Sequence, residues 1–284
     1  MNTISLELTN SQIKQLSTLY KMYRVEKKQA YIAAQYKLTG CMITVYESNK
    51  VVFQGKDAQH YATSYQPKTN FFPHAGSDEV GTGDYYGPVC VCACVIDAVR
   101  YEKLPIPKLR DSKKLTDDEI INLAPSLIQI LPHSLLVLDN KKYNEVHADY
   151  NMNQIKALLH NQTYLHLQKK LKALPKQIII DQFTPPKNYY KYLQNEKEIV
   201  SDIHFETKAE DKYLAVACAS IIARYAFLNA FTEMEMKYNW HFPKGASSRV
   251  DQNAANFVKK YGEKELKNVA KLHFKNTDKL KEYL

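Results

Sequence analysis

Two adjacent carboxylates, Asp78 and Glu79, stand beside a cluster of glycines at Gly81, Gly83 and Gly87. Neighbouring carboxylates repel each other, and a hard divalent cation with oxygen ligands is the simplest way to relieve that repulsion. Glycine permits a positive φ and lets another molecule approach the main chain closely. The stretch therefore has two interpretations, a polar turn or a metal site beside a substrate-contacting backbone, and for an isolated Asp-Glu pair the turn is the more common.

A third carboxylate from elsewhere in the chain could complete a metal site. The apolar, β-branched residues 178–180 predict a buried strand that ends at Asp181, and residues 135–138 predict another that ends at Asp139. Ligands of α/β proteins gather just beyond strand ends, so both aspartates are candidates. Spacing alone does not choose between them.

The adjacency of Asp78 and Glu79 raises a geometric problem. Successive residues of a regular strand face opposite sides, so the two side chains cannot both point straight at one ion. A bulge or strand end at Gly81, or the longer reach of Glu79, would have to bring them together.

Motifs of several other chemistries are absent from the sequence. There is no G-x-x-x-x-G-K-[ST], no complete G-x-G-x-x-G, no H-E-x-x-H and no G-x-S-x-G. The nine histidines lack ligand spacing, and Cys90, Cys92 and Cys94 alternate along a predicted strand as small buried residues, without the spacing of a zinc site. What remains is an all-carboxylate site for Mg²⁺ or Mn²⁺. Two such ions about 3.5–4 Å apart can activate water and stabilise the leaving oxygen of a phosphodiester.

The overall composition indicates a folded protein with a polyanionic partner. Hydrophobic residues make up 45% of the 284 residues and charged residues 24%, while the net charge is +9. We expect no signal peptide and no membrane span, because there is neither a basic leader with an apolar run nor a stretch of about 18 apolar residues. Five cysteines, an odd number, then predict reduced thiols in the cytoplasm.

The chain divides into two predicted domains. Residues 1–66 show the order β-α-β-β-β-α, typical of an antiparallel sheet with helices on one face. They carry eight Lys or Arg, four Asp or Glu and seven tyrosines, so this basic domain could track a nucleic-acid backbone, with about half of the rings in its core. Residues 67–71 are predicted as a linker because they include Pro67 and lack apolar periodicity. Residues 72–284 predict a mixed α/β domain.

Charged residues near position 115 have a mainly structural interpretation. Thr116 and Glu119 fit a capping box for a helix over 117–129, so the helix dipole accounts for Asp117 and its neighbour Asp118 without catalysis. Lys113 and Lys114 precede that helix in a loop, where they could bind a phosphate.

Several of these stretches resemble one family. Residues 77–84 are similar to the Asp-Glu-x-Gly-x-Gly signature of type 2 ribonucleases H, and the flanking details resemble ribonuclease HIII more than ribonuclease HII. Those details are Gly83-Asp84-Tyr85-Tyr86-Gly87-Pro88, Arg110-Asp111-Ser112-Lys113-Lys114-Leu115, Asn151-Met152-Asn153, Leu159-His160-Asn161, Ile180-Asp181-Gln182-Phe183 and Ser220-Ile221-Ile222-Ala223-Arg224-Tyr225. By position and element order, residues 1–66 resemble the TATA-binding-protein-like domain that precedes the nuclease. The resemblance implies a ribonuclease H-like mixed sheet with flanking helices behind this small α+β domain.

The resemblance also implies an activity and a site. The activity is endonucleolytic hydrolysis of RNA in RNA·DNA hybrids with Mg²⁺ or Mn²⁺, leaving 5′-phosphate and 3′-hydroxyl ends. The metal ligands would be Asp78, Glu79 and Asp181, which favours Asp181 over Asp139. The backbone of Gly81, Thr82 and Gly83 would contact the ribose 2′-hydroxyl, the group that separates RNA from DNA, and Ser112, Lys113 and Lys114 would also bind substrate.

The fourth acidic residue is less well marked. The position at which ribonuclease HII carries an Asp is Leu228 in this chain, and ribonuclease HIII uses a Glu elsewhere. We expect Glu210 to fill this catalytic role, with Glu206 and Glu233 as alternatives.

The sequence thus predicts a monomeric, cytoplasmic ribonuclease H with a hybrid-binding N-terminal domain. Two other functions stay open at this point: a catalytically weak protein that binds hybrids or duplexes, and a different metal-dependent nuclease.

Overall fold

The protein consists of two compact units, Met1–Asn70 and Phe71–Leu284. The computed structural model describes residues 2–26, 30–65, 72–110 and 112–283. The predicted linker, residues 67–71, and Asp111 of the Arg-Asp-Ser-Lys-Lys stretch lie outside the described residues.

The N-terminal unit is a five-stranded antiparallel sheet with the strand order β1-β5-β4-β3-β2 and two helices. Its strands are β1 (Thr3–Glu7), β2 (Arg24–Val25), β3 (Ile32–Leu38), β4 (Cys41–Tyr46) and β5 (Lys50–Gln54), and its helices are α1 (Asn10–Leu19) and α2 (Ala58–Ala62). Thr9 caps α1 in a capping box with Gln12. The predicted element order is confirmed, with the two-residue strand β2 as an addition.

The tyrosines of this unit are divided between its core and its surface. Four of the seven belong to the core: Tyr36 and Tyr65 are buried, and Tyr20 and Tyr61 pack against the buried cluster. Tyr23 and Tyr31 are exposed, and Tyr46 stacks on Tyr31 with 6.1 Å between ring centroids. About half of the rings are therefore structural.

The second unit is built on a mixed sheet with the strand order β10-β9-β6-β7-β8. The strands are β6 (His74–Val80), β7 (Val89–Ile96), β8 (His133–Leu138), β9 (Gln177–Asp181) and β10 (Ile203–Glu206). β6, β7 and β8 pair antiparallel, whereas β9 and β10 run parallel to β6.

Helices cover both faces of this sheet. They are α3 (Ala98–Tyr101), α4 (Ile106–Arg110), α5 (Asp117–Ile130), α6 (Asn140–His147), α7 (Met152–Leu171), α8 (Pro186–Tyr192), α9 (Leu214–Tyr238), α10 (Ser248–Tyr261), α11 (Glu263–Leu266) and α12 (Lys275–Lys279). α9 packs on one face and α7 on the other, so residues of β7 alternate between them. Cys90, Cys92 and Cys94 are fully buried on the α9 face, as predicted.

α9 lies unusually close to β6 because of Gly76. A Cβ at Gly76 would come within 2.4 Å of the Val216 main-chain nitrogen, so only glycine fits there. The alanines at the start of α9, including Ala215 and Ala219, are completely buried in the same contact.

By length and composition, α9 is also apolar enough to cross a membrane. However, 61% of its most apolar 18-residue window is buried inside the protein. The core helix of a folded domain meets the same criteria, and the packing of α9 on β6 and β7 is that of a core helix.

Candidate active site

The ends of two parallel strands bring two aspartates to one edge of the sheet. Ser77 of β6 is in register with Ile180 of β9, so the next residues, Asp78 and Asp181, lie at the same edge. Asp181 Oδ1 accepts a hydrogen bond from the Ala209 main-chain nitrogen at 2.9 Å. The parallel pairing thus explains why residues about a hundred positions apart in the sequence are neighbours.

The Glu79 side chain points to the opposite face of the sheet from Asp78, as the alternation along a strand requires. Its Oε1 forms an ion pair with Lys156, and its Oε2 lies 2.9 Å from His160 Nε2. His160 Nδ1 in turn lies 2.7 Å from the Ser77 hydroxyl. Lys156 and His160 are one turn apart on α7, so a single helix face holds the glutamate.

These partners decide the charge of Glu79. Burial by itself would raise the pKa of Glu79, but His160 and Lys156 outweigh it and lower the pKa. Lys156 Nζ also lies 4.0 Å from the centroid of the Phe183 ring, a cation–π contact. Glu79 is therefore an ionised side chain held in a defined orientation.

The two aspartates lie in a more negative environment. Burial, and then the charge of Glu79, raise the pKa of Asp78, against a hydrogen bond from Ser220. Burial also raises the pKa of Asp181, and the charges of Glu210 and Glu79 add to this effect, while the Ala209 N–H opposes it. The ionised forms of Asp78 and Asp181 are therefore unfavourable in this environment, and a bound cation would stabilise them.

Glu210 completes what we call the acidic edge, defined as Asp78, Asp181 and Glu210. It lies in the 3₁₀ turn Ala209–Asp211 before α9, and it is buried. Its Oε1 forms an ion pair with Lys113, while its buried Oε2 has no hydrogen-bond partner in the part of the chain that the structure describes. A buried acceptor without a partner is costly and needs a donor or a cation.

A cavity of about 270 Å³ opens at the acidic edge. It is lined by Asp78, Ser112, Lys113, Ile120, Glu210, Ser220, Ile221 and Arg224. Ser112 is buried in this wall, whereas Lys114 is exposed and lies outside it. The structure thus brings Ser112 and Lys113 to the carboxylates and leaves Lys114 at the surface.

The donor set fits a hard divalent cation, although the carboxylates do not yet converge on one point. Among the described residues, no three His, Cys, Asp or Glu side chains come together as a ready metal cluster. Glu79 is instead paired with Lys156, and Glu210 is paired with Lys113. Oxygen donors, the partnerless Glu210 Oε2 and two aspartates with raised pKa values are what Mg²⁺ or Mn²⁺ would satisfy.

The glycines beside the carboxylates have two different reasons to be glycine. Gly81 has φ +93°, and a Cβ there would come within 2.1 Å of the Pro88 carbonyl oxygen, so the fold itself requires this glycine. Gly83 is exposed, and a Cβ there would meet nothing within 4 Å. Thr82 between them is half-buried. The main chain at Gly83 is open to another molecule.

Two other aspartates have structural partners. Asp117 begins α5 beside the Thr116–Glu119 capping box, accepts a hydrogen bond from Arg224 at 2.6 Å and pairs with Lys244. Asp139 caps α6 by accepting a hydrogen bond from the Lys142 main-chain nitrogen at 2.8 Å.

The alternatives to Glu210 lie in less suitable places. Glu206 is in register with Asp181, but its Oε1 accepts a hydrogen bond from Lys212 at 2.6 Å. Glu233 is exposed on α9, and Leu228 is buried in the core.

Sequence reasoning missed the side chains that hold Glu79. The nine histidines lack ligand spacing, so His160 does not stand out as a site residue on that ground, and Lys156 lies in none of the motifs. The spacing Lys156-x-x-x-His160 on a predicted helix was the available signal, because it places a cation and an imidazole on one helix face.

Comparison with protein families divides the chain much as the structure does. A family model described as "Ribonuclease HII" matches residues 75–277. Another, described as "Domain of unknown function (DUF3378)", matches residues 3–74.

Relatives resemble the chain over nearly its full length. Ribonuclease HIII of Enterococcus faecalis (strain ATCC 700802 / V583) is 40% identical over 299 residues, covering 98% of each chain. Ribonuclease HIII of Lactococcus lactis subsp. cremoris (strain SK11) is 41% identical over 283 residues, covering 97% of each.

Solved structures of ribonucleases H are also similar to this chain. Bst-RNase HIII in complex with Mn²⁺ is 34% identical with a TM-score of 0.72, covering 99% of this chain and 98% of that one. The ribonuclease H2 from Pyrococcus horikoshii OT3 is 27% identical with a TM-score of 0.61, covering 74% of this chain and 98% of that one. The chain therefore belongs to the ribonuclease HIII branch of the type 2 ribonuclease H family and is a ribonuclease H enzyme.

Proposed function

We propose that this enzyme hydrolyses the RNA strand of RNA·DNA hybrids with Mg²⁺ or Mn²⁺, leaving 5′-phosphate and 3′-hydroxyl ends. The observation that carries the proposal is the acidic edge, where burial and neighbouring carboxylates raise the pKa values of Asp78 and Asp181, beside the open main chain at Gly83. Carboxylates suit a divalent cation, and an exposed backbone suits contact with a ribose.

We assign the metal ligands as Asp78, Glu79 and Asp181, with Glu210 as the fourth catalytic acid. Bound divalent ions would supply the positive charge that activates the attacking water and stabilises the leaving oxygen. Lys156 and His160 keep Glu79 ionised on the opposite face of β6 from Asp78, and Glu79 would become a ligand by exchanging Lys156 for a metal ion.

The substrate-binding assignments follow from exposure and charge. Gly81 turns the chain, Thr82 and Gly83 present main-chain groups to the ribose 2′-hydroxyl, and Ser112, Lys113 and Lys114 contact the phosphates. The exposure of Lys113 supports this role. Its side chain is 53% exposed although it is paired with Glu210. An exposed lysine at the cavity wall can exchange a carboxylate for a phosphate.

The N-terminal unit binds the hybrid in this proposal. The sheet face opposite its core carries Lys37, Lys50 and Gln54, all exposed. Such side chains can contact phosphates without reading sequence.

We also place the enzyme in the cytoplasm as a monomer. All five cysteines are free and buried, which suits a reducing compartment.

A substrate panel tests the proposed activity. Matched RNA·DNA hybrid, duplex RNA and duplex DNA are incubated with the full chain in Mg²⁺, in Mn²⁺ and in chelator, and product ends are mapped. We expect cleavage of the hybrid alone, dependent on the metal. Binding without product would support a catalytically weak binding protein, and cleavage of duplex DNA would support a different nuclease.

Removal of residues 1–66 is expected to weaken hybrid binding and flatten its salt dependence, because fewer phosphates would be neutralised. In the full chain, a Lys37→Gln/Lys50→Gln variant should reduce the slope of log K against log salt by about 1–2. Fluorescence anisotropy at several salt concentrations measures the affinity for the hybrid and its salt dependence. An unchanged affinity and slope in the truncated protein would refute the assigned role of this unit.

A further inference from the structure

The loop that follows the exposed glycine is held by residues from the far end of the chain. The Lys271 main-chain nitrogen donates to the Tyr85 carbonyl at 2.8 Å, and the Gly87 nitrogen donates to the Val269 carbonyl at 3.0 Å. On the other side, the Gly245 nitrogen donates to Asp84 Oδ1 at 2.7 Å. Residues 84–87 are therefore fixed by two segments that are distant in sequence.

The side chain of Lys271 adds a third attachment to this loop. It is completely buried, and its Nζ donates to the carbonyl oxygens of Asp84, at 2.8 Å, and of Gly87. The Tyr86 carbonyl lies 3.4 Å away. A single ammonium group thus draws the carbonyls of both ends of the 84–87 turn to one point.

This arrangement is costly for the fold. An ammonium group buried among neutral carbonyls loses its hydration, and burial lowers the pKa of Lys271 to about 7. An apolar side chain of similar volume would avoid that loss. A residue that is expensive for stability and precise in its contacts is more simply explained by what it positions.

Lys271 positions the far end of the loop 81–87. The near end is set by Gly81, which only glycine can occupy, and the far end by the turn at Gly87, which has φ +79°. Gly83 lies between these two ends, with its own Cβ position empty. Its main-chain groups are therefore located by the attachments of the loop and not by packing of Gly83 itself.

We propose that Lys271 is a positioning residue for RNA recognition: its buried ammonium holds the turn 84–87, so that the main chain at Gly83 meets the ribose of the substrate. This inference rests on the proposed function, because it takes the ribose contact as given. Lys271 does not touch the substrate.

The test compares the affinities of the full chain for an RNA·DNA hybrid and for a DNA duplex of the same sequence, in chelator so that no cleavage occurs. In Lys271→Met, the preference for the hybrid should fall by about tenfold, the value of a well-placed hydrogen bond, while affinity for the DNA duplex stays unchanged. Exposed Lys267 provides the matched control, since Lys267→Met removes a nearby charge without a loop contact.

Two further variants distinguish a lost ribose contact from a failure of Lys271→Met to fold. Gly83→Ala, which meets no neighbour within 4 Å, should fold normally and lose the same preference. Asn140→Ala removes the other donor to the Gly87 carbonyl, a 2.8 Å hydrogen bond, and decides the matter if Lys271→Met does not fold. The preference of Asn140→Ala for the hybrid should also fall.

The inference is overturned if Lys271→Met, or Asn140→Ala in its place, keeps the hybrid preference while Gly83→Ala loses it. It is also overturned if affinities for both duplexes fall together, because that result indicates a purely structural role. A wild-type protein with no preference for the hybrid would instead contradict the proposed function.

Discussion

Asp78→Asn is expected to reduce cleavage of an RNA·DNA hybrid by at least about a thousandfold in Mg²⁺, because a contribution of about 4 kcal/mol to transition-state stabilisation would be lost. Asparagine keeps the shape of the side chain and its ability to accept a hydrogen bond, but it removes the charge that would hold a divalent ion. Hybrid binding should change little. Rate and affinity are measured separately, by single-turnover cleavage and by anisotropy in chelator.

The same change should not destabilise the protein. Burial and the charge of Glu79 raise the pKa of Asp78, so an ionised Asp78 is unfavourable for folding. Asp78→Asn should therefore melt at or above the temperature of the wild-type protein, as at many sites where function opposes stability. Full activity in this variant, or a loss of activity that parallels a fall in melting temperature, would contradict the assignment.

Long elements with clear end signals could be predicted from the sequence. The capping box at Thr116 and Glu119 predicted a helix over 117–129, and α5 spans Asp117–Ile130. The apolar stripe of Leu214, Cys218, Ile221, Ile222, Tyr225 and Leu228 in the sequence predicts a helix over about 211–236, and α9 spans Leu214–Tyr238. Such segments carry their own periodicity, so tertiary packing reinforces the local preference.

Short elements could not be predicted in the same way. No pattern in the sequence predicts α3, α4 or α8. Residues 198–205 predict a strand, whereas β10 forms only at Ile203–Glu206. Helices of four to seven residues are too short to be stable alone or to show a period, so their contacts with the rest of the fold decide them.

The sequence singles out the acidic residues of the candidate site but not their arrangement. Asp78 and Asp181 meet because β6 and β9 are parallel neighbours, a pairing that no local signal encodes. Strand alternation raised the problem of how Asp78 and Glu79 could face one ion, and β6 runs regularly through both residues without a bulge. Only the packing of α7 brings Lys156 and His160 to Glu79.

Asp181 and Asp139 provide a matched test and control for the central claim, that the acidic edge carries out the chemistry. Each aspartate follows the apolar core of a strand, and spacing alone did not distinguish them. Asp181 lies beside Asp78, whereas Asp139 caps α6. Asparagine caps a helix about as well as aspartate, so Asp139→Asn should leave the fold intact.

The decisive measurement is the single-turnover rate of hybrid cleavage in Mg²⁺ for Asp181→Asn and Asp139→Asn, with melting temperatures as the check on folding. We expect Asp181→Asn to lose at least about a thousandfold in rate and Asp139→Asn to stay within about twofold of the wild-type protein. Cleavage by Asp181→Asn at the wild-type rate, or an equal loss in both variants, would contradict a catalytic role for the acidic edge.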